Sequence, residues 1–515
     1  MATDRLPGHR YLVAFATMLG TFMEVLDTSV ANVALPHMQG SYAAGTDEIT
    51  WVITSYLVAN AIVLPITGWL GARFGRKRLY LLCLAVFTLA SFGAGAAPSL
   101  RWQILMRVVQ GLSGGAMVPM SQAITLEAFP KEEHGVASAI FGIGVVLGPI
   151  LGPLVGGWLT DNWSWPWIFW INIPVGLVAY LAATVLVTDP PQPERPGERP
   201  DYWSLAFVAV GLGCLELFLS RGERLDWFES STVKVCAALA ALGLALFVWR
   251  SLTADAPLVD LSSFRLREFA GGMALVFVVS FAMYGDFVLL PLFVQRLLGF
   301  TPTWAGVVLS PGGVASVVAM AAGGLALRKV DVRLIVGAGT LSLAWSSWML
   351  AGISLATPLS YLVTAWIFHG LGLGLVFAPV GATCMQRVEP RLMSTATGMF
   401  NLMRNEGGSV GIAVATTVLA RRAQFHHARL AERVTPLSAV LQVSRVRLAG
   451  RLLPRAGLDP VSAARLGHGL VGVEVVRQSY LMGFVDVFAM LAVVFLLAAP
   501  LVLLLRDAKG PGLAS

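Results

Sequence analysis

The sequence is short of charge. Only 13% of its 515 residues are Asp, Glu, Lys or Arg, against 56% hydrophobic, whereas a soluble domain has about a quarter of its residues charged. So few charges cannot cover a chain this long with polar surface, which excludes a water-soluble globule. Cysteine is scarce as well. Cys83, Cys214, Cys236 and Cys384 all fall in apolar runs, where they read as small packing residues and imply no disulfide framework. The seven histidines (His9, His37, His134, His369, His426, His427, His468) are dispersed, and the adjacent His426 and His427 lack the spacing of two ligands on one helix face. No metal site, cofactor or catalytic constellation is expected, and the chain is read as a non-enzyme. A Gly-rich phosphate loop is also missing, which argues against ATP-driven pumping. The first apolar run has no small-residue cleavage site and contains Glu24 and Asp27, so it reads as a retained helix and not a signal peptide.

What the chain has instead is long apolar runs, with a mean hydropathy of +0.74. A helix needs about 20 apolar residues to cross a hydrocarbon core of about 30 Å. Fourteen candidates follow one another at 11–33, 50–70, 79–97, 101–125, 136–158, 166–188, 202–220, 232–250, 268–294, 303–326, 333–352, 359–380, 394–419 and 480–505. The class is all-α integral membrane, because a spanning segment has to satisfy its own backbone hydrogen bonds. With both termini placed in the cytoplasm, the cytoplasmic tails and short loops hold 19 Lys and Arg and the opposite short loops hold 5, which sets the orientation by the positive-inside rule. Long loops translocate regardless of charge, so the ten arginines of 420–479 do not disturb it. The net charge of +7 needs no nucleic-acid partner.

The Pro- and charge-rich segment Asp189–Asp201 (DPPQPERPGERPD) is the clearest linker. It divides 1–188, six spans, from two further spans and a cytoplasmic connection in 202–267; 268–515 then holds six more, with a long loop at 420–479. Gly68–Leu79 (GWLGARFGRKRL) and Gly324–Arg333 (GLALRKVDVR) echo each other as Gly followed by a basic turn, a hint of the internal repeats on which secondary transporters are built. Within the long loop, Ala423–Arg433 and Leu437–Leu453 look helical; the region reads either as a cap or as a docking surface.

Ionisable residues inside a span cost roughly 2.5–3.5 kcal/mol each and mark function by default. Glu24 and Asp27, three apart, share one helix face. Two adjacent carboxylates in low dielectric do not both ionise cheaply, so one is expected to hold a proton. They read as proton carriers or as hydrogen-bonded ties between helices. Arg107 lies on a line with Gly111 and Gly115, where a neighbouring helix can come close. As a cation that keeps its proton, it can bias a nearby carboxylate or form a permanent ion pair. Gly144, Gly148, Gly152 and Gly156 make a ridge of period four interrupted by Pro149 and Pro153, suited to a rocking helix or to tight packing. Arg404 and Glu406, two apart, point to different partners; Glu406 reads as a cavity cation or proton site or as a satisfied bundle residue. Asp286 and Asp486 are expected at the interface, and Glu216 is expected close enough to the outer end to be set aside. The aromatic and Met store suits a greasy, adaptable cavity.

Six stretches give the chain a resemblance. Val25–Pro36 (VLDTSVANVALP), Gly68–Leu79, Arg107–Gly115 (RVVQGLSGG), Gly144–Gly157 (GVVLGPILGPLVGG), Trp165–Gly176 (WPWIFWINIPVG) and Phe400–Gly411 (FNLMRNEGGSVG) resemble, in order, motifs of the fourteen-span drug:proton antiporter branch of the major facilitator superfamily, and within it the EmrB-like exporters. The resemblance covers nearly the whole chain. It implies two six-helix bundles plus two extra helices, a coupling role for Arg107, an export role for the glycine ridge, and a cytoplasmic loop motif of Gly68, Arg73, Gly75, Arg76 and Lys77. That motif usually has an acidic residue where this chain has Ala72. The expected function is proton-driven export of amphipathic drugs or toxic compounds across the inner membrane; the alternative is a dedicated exporter of one metabolite or siderophore. A periplasmic adaptor and an outer-membrane channel are the implied partners, with Gln424–Leu430 (QFHHARL) in the stretch where contact is expected.

Overall fold

The computed structural model describes residues 8–188, 201–254, 257–433 and 460–505. Nearly all of the expected linker, residues 189–200, and the stretch Leu437–Leu453 lie outside the described residues. Regular structure among the described residues is entirely helical. The long helices are α1 (His9–Ser41), α2 (Trp51–Val63), α3 (Thr67–Phe74), α4 (Arg76–Gly95), α5 (Leu100–Ala128), α6 (His134–Asn162), α7 (Asn172–Leu186), α8 (Tyr202–Gly222), α9 (Ser231–Thr253), α10 (Arg267–Arg296), α11 (Pro302–Ala326), α12 (Val332–Leu350), α13 (Leu359–Gln386), α14 (Met393–Arg433) and α15 (Pro460–Ala498).

Each expected run is occupied by a helix or a broken helix. The second is broken at Leu64–Ile66, where the chain bends by 63° between α2 and α3. Pro65 accounts for the break, since it has no N–H to donate and its ring blocks the preceding turn. Ten described helices are long and apolar enough to cross a membrane, eleven with the bent pair taken as one span. The other long helices are α5, α12 and α14, and two of these carry the interior polar residues Gln103, Arg107 and Gln110, and Arg404, Asn405 and Glu406. Length and composition therefore support a multi-pass membrane protein without themselves giving fourteen crossings. The expected loop 420–479 is shorter than its sequence suggests, because α14 continues to Arg433 and α15 begins at Pro460. Arg422 and His426 both reach Asp486 Oδ2, at 2.6 and 2.7 Å, and fasten these two stems.

Two sets of helices pack in the same pattern. In α1–α7, α1 packs on α5, α6 and α7, and α5 packs on α2 and α4. In α10–α15 the counterparts repeat, with α10 on α13, α14 and α15, and α13 on α11 and α12. The basic turns noted in the sequence connect matching elements, α3 to α4 and α11 to α12. Gly75, at φ 84, occupies the left-handed region at the first of these turns, where a side chain is strained.

The sets meet along two seams, α6 against α11 and α13, and α14 against α2, α3 and α5. Across them, polar contacts gather at the end bearing the basic loop. Arg76, paired with Glu127 of its own set, donates across to Pro390 O at 2.8 Å; Thr397 donates to Pro119 O at 3.0 Å and Asn401 to Gln122 Oε1 at 2.7 Å. Gly68 sits against Thr395, whose Cα is 2.7 Å from where a Cβ would stand. Helices α8 and α9 pack on each other, and α8 lies against both α2 and α14.

Candidate functional site

The residues singled out in the first span sit in a continuous polar core inside the α1–α7 set. Asp27 is 1% exposed and Arg107 0%. Arg107 Nη1 donates to Asp27 Oδ2 at 2.5 Å, and its Nε donates to Val52 O at 3.0 Å. The other Asp27 oxygen accepts from Asn172 Nδ2 at 2.7 Å and from Gln110 Nε2 at 3.2 Å. Gln110 and Asn172 also share the Ser91 hydroxyl. One charged pair is thus held by polar groups from α1, α2, α4, α5 and α7, which is how a buried ion pair escapes its desolvation cost.

Glycines decide how close these helices come. A Cβ on Gly115 would stand 2.6 Å from Asn60 O, and one on Gly111 2.8 Å from Ala59 Cβ, so α2 is the helix that the Arg107 line admits. That approach lays the Tyr56 ring against the guanidinium, 4.2 Å from centroid to Cζ. The same Tyr56 donates its hydroxyl to Glu24 Oε1 at 2.5 Å, and Asn60 Nδ2 donates to that oxygen at 3.2 Å. Glu24 therefore does not share the Arg107 cation directly. Tyr56 stands between the two acid sites and touches both.

A polar thread leaves Glu24 across the seam. Asn60 Oδ1 accepts from Asn405 Nδ2 at 3.4 Å, and Asn405 Oδ1 accepts from Arg404 Nε and Nη2, each at 3.4 Å. Arg404 lies within electrostatic reach of Glu24. Arg404 and Glu406 do part company as their spacing requires. Glu406 faces Glu216 of α8, and among the described residues neither of its carboxylate oxygens has a hydrogen-bond partner. Glu216 is 4% exposed and accepts from Ser409 at 2.8 Å. The expectation that Glu216 sits harmlessly at the outer end is corrected: α14 covers it. Asp286, expected at the interface, is fully buried on α10, because α12 and α13 close over that face; Asp486 is the partly exposed one.

The glycine ridge faces α1. A Cβ on Gly144, Gly148 or Gly156 would stand 2.7 Å from Met18, 2.6 Å from Val25 or 2.9 Å from Val30, and Gly152 meets Ser29. Helix α6 stays continuous through Pro149 and Pro153. The ridge thus fastens α6 to the helix that carries Glu24 and Asp27, while Gly135 and Gly142, outside the ridge, face Gly324 and Met320 of α11 across the seam. In the loop motif, Arg73 is exposed, Lys77 donates to Thr184 O at 2.7 Å, and Arg76, like Gly68, reaches the other set.

The family model described as Major Facilitator Superfamily matches residues 17–412. The chain belongs to the major facilitator superfamily. Within it, the chain is 33% identical over 497 residues to the fatty acid resistance protein FarB of Neisseria gonorrhoeae, covering 96% of each chain. It is 34% identical over 429 residues to the multidrug export protein EmrB of Escherichia coli K12, covering 83% of each. Such relatives put this facilitator in the EmrB-like group. Among solved structures it shares its fold with the human organic anion transporter MFSD10 (TETRAN), at a TM-score of 0.63 and 16% identity over 97% of this chain and 100% of that one. It is a transport protein and not an enzyme.

Tyr56, Asn60, Ser91, Gln110 and Asn172 escaped the sequence reading because they are uncharged. What marks them is a polar side chain in an otherwise apolar span, the same sign as for the charged residues but weaker.

Proposed function

We propose that this facilitator exports amphipathic small molecules from the cytoplasm in exchange for protons, with Asp27 and Glu24 as the proton-carrying groups and Arg107 as the fixed cation that ties their charge to the conformation. The observation that carries the reading is the buried Asp27–Arg107 pair, joined to Glu24 through Tyr56. Protonating Asp27 removes the counter-charge of a guanidinium that keeps its own proton, so proton uptake changes the balance of the helices that Arg107 holds. Glu24, tied through Asn60 and Asn405 toward Arg404, gives a route by which that change is felt across the seam. The cross-seam contacts close the basic-loop end, which fits an outward-facing state in which protons enter from outside. Arg404 at the seam and Glu406 beside Glu216 of α8 are the candidate cargo contacts, and the greasy spans suit amphipathic cargo.

The relatives support the cargo class by name: multidrug export for EmrB, fatty acid resistance for FarB, and colistin resistance for an EmrB of Acinetobacter baumannii. The same reading takes 1–188 and 268–515 as two six-helix bundles with 202–267 as an inserted pair, fourteen crossings, both termini cytoplasmic and an inner-membrane address. It also includes a periplasmic adaptor on the 420–479 stems feeding an outer-membrane channel; retention of a co-purifying adaptor after deletion of 430–470 would remove that last element.

The test is Asp27→Asn in proteoliposomes, normalised to reconstituted protein, with ethidium uptake driven by an imposed pH gradient. Loss of gradient-driven uptake is expected. Uptake equal to the unmodified protein takes Asp27 out of the mechanism.

A further inference from the structure

The α10–α15 set holds a second buried acid and base that the proposed cycle does not use. Asp286 on α10 is 0% exposed and His369 on α13 is 1% exposed. Ser347 of α12 donates its hydroxyl to Asp286 Oδ2 at 2.6 Å, and His369 Nδ1 lies 3.6 Å from the same oxygen. Among the described residues, Asp286 Oδ1 and both His369 ring nitrogens have no hydrogen-bond partner. The imidazole lies flat on Trp366, centroids 4.3 Å apart, with Phe287 and Phe495 edge-on around it. Three unpartnered polar atoms in an aromatic box are costly, and a lone charge there costs more than a pair carrying none overall. The arrangement favours one proton held between the two groups.

Their placement repeats the first site. Asp27 and Asp286 lie on the first helices of the two sets, α1 and α10, at similar depth. Ser91 and Ser347 occupy the same position counted from the starts of the third helices, α4 and α12. Arg107 and His369 lie on the fourth helices, α5 and α13, and each has its cationic group or ring against an aromatic face, Tyr56 or Trp366. Acid, hydroxyl and base thus recur on matching elements, with histidine where the other half has arginine.

Among the described residues, no other charged side chain lies against the pair, Arg267 and Arg296 being at the two ends of α10. Helix α11 carries no ionisable side chain. On α12 the only one is Arg333, at the far end and bonded to Leu505 O. On α10, Glu268 is held by Arg387 and Tyr284 packs beside Gly408 of α14. On α14, Arg404 and Glu406 lie near the level of Phe277, which Gly407 touches, roughly 13 Å along α10 from Asp286. On α15, Asp486 is taken by Arg422 and His426, and Arg477 by Leu297 O.

We propose that Asp286 and His369 together form a second proton-binding site, the counterpart in the C-terminal helices of the Asp27–Arg107 pair. An arginine keeps its proton, whereas imidazole gives it up readily, so this copy can load and release a proton where the first holds a fixed cation. Each half then has a group that responds to protons, and a full cycle can carry one in each. That place in a cycle rests on the proton-driven reading above; the binding itself does not.

The experiment is pH-difference infrared spectroscopy on the purified full-length protein, which needs no cargo. A carboxylic-acid carbonyl band is expected that Asp286→Asn removes, and His369→Gln should move the midpoint of that band by about one pH unit or more, the coupling at which two groups titrate as a pair. Ser347→Ala keeps both groups and should shift the frequency of the same band, which covers the case of an Asp286 variant that fails to fold. A band set unchanged by Asp286→Asn or by Ser347→Ala, or a midpoint unmoved by His369→Gln, overturns the proposal. Failure of the Asp27→Asn transport test with these results intact would refute the cycle and leave the site.

Discussion

Replacing Asp27 by Asn keeps the shape of the side chain and strands a guanidinium that is fully buried. Removing one partner of a buried pair costs about 3–5 kcal/mol, because the other charge stays behind. Three contacts soften the loss here: Arg107 retains Val52 O and Gln110 Oε1, each at 3.0 Å, and the Tyr56 ring at 4.2 Å, and the ring contributes about 0.5–2 kcal/mol. The expected net cost of Asp27→Asn is therefore about 2–4 kcal/mol. Arg107→Met should cost about 3 kcal/mol, since it leaves Asp27 with only Asn172 and Gln110 as donors. The double variant leaves neither charge stranded and should fall short of the sum by about 2 kcal/mol, within the usual range for residues in one network. Denaturant unfolding of the purified protein in mild detergent, followed by tryptophan fluorescence, measures all three. An additive double variant, or a single Asp27→Asn cost below about 0.5 kcal/mol, would refute the assignment of a tightly coupled buried pair.

Gly148→Val places a side chain 2.6 Å from Val25 Cγ1 and 2.8 Å from the Val25 carbonyl carbon; such overpacking typically costs about 1–3 kcal/mol and should lower the Tm, while Gly157→Ala, with no atom within 4 Å, should leave it unchanged. Equal Tm values for the two would mean that the ridge does not fasten α6 to α1. Arg76→Gln gives up the Glu127 pair and should weaken the bond to Pro390. A cysteine placed at Ser394, which is buried at that seam, should then react faster with a thiol reagent applied to the basic-loop side, and an unchanged rate would show that Arg76 does not hold that end shut.

Much of this arrangement was readable from sequence, and unevenly so. Apolar runs locate helices well because the bilayer leaves few alternatives, and charges inside those runs led to Asp27, Arg107 and Glu406. Position along a run was a poor guide to burial. Glu216 and Asp286 were placed at the outer ends of their spans, yet both are covered, by α14 and by α12 with α13, because burial depends on which neighbours close over a face. His369 went unweighed for a related reason. It was compared with the other histidines as a metal ligand, when its isolation in the apolar stretch Leu359–Gln386 was the telling feature. The ridge reads from sequence as either a rocking helix or tight packing, because four glycines on one stripe only say that something comes close; α1 being that something is a tertiary fact.

Helix α8 and the turn after it reach both sets of helices toward the end away from the basic loop. Arg221 and Arg224 hold Asp47, and Arg221 covers the Trp51 ring; on the other side Glu216 accepts from Ser409 and Trp227 donates to Thr417 at 3.1 Å. Helix α8 with this turn is accordingly a strap between the two sets on one flank. Any parting of the two sets at that end has to undo contacts on both flanks, those of α8 here and those of Ile150 with Gly313 where α6 lies on α11.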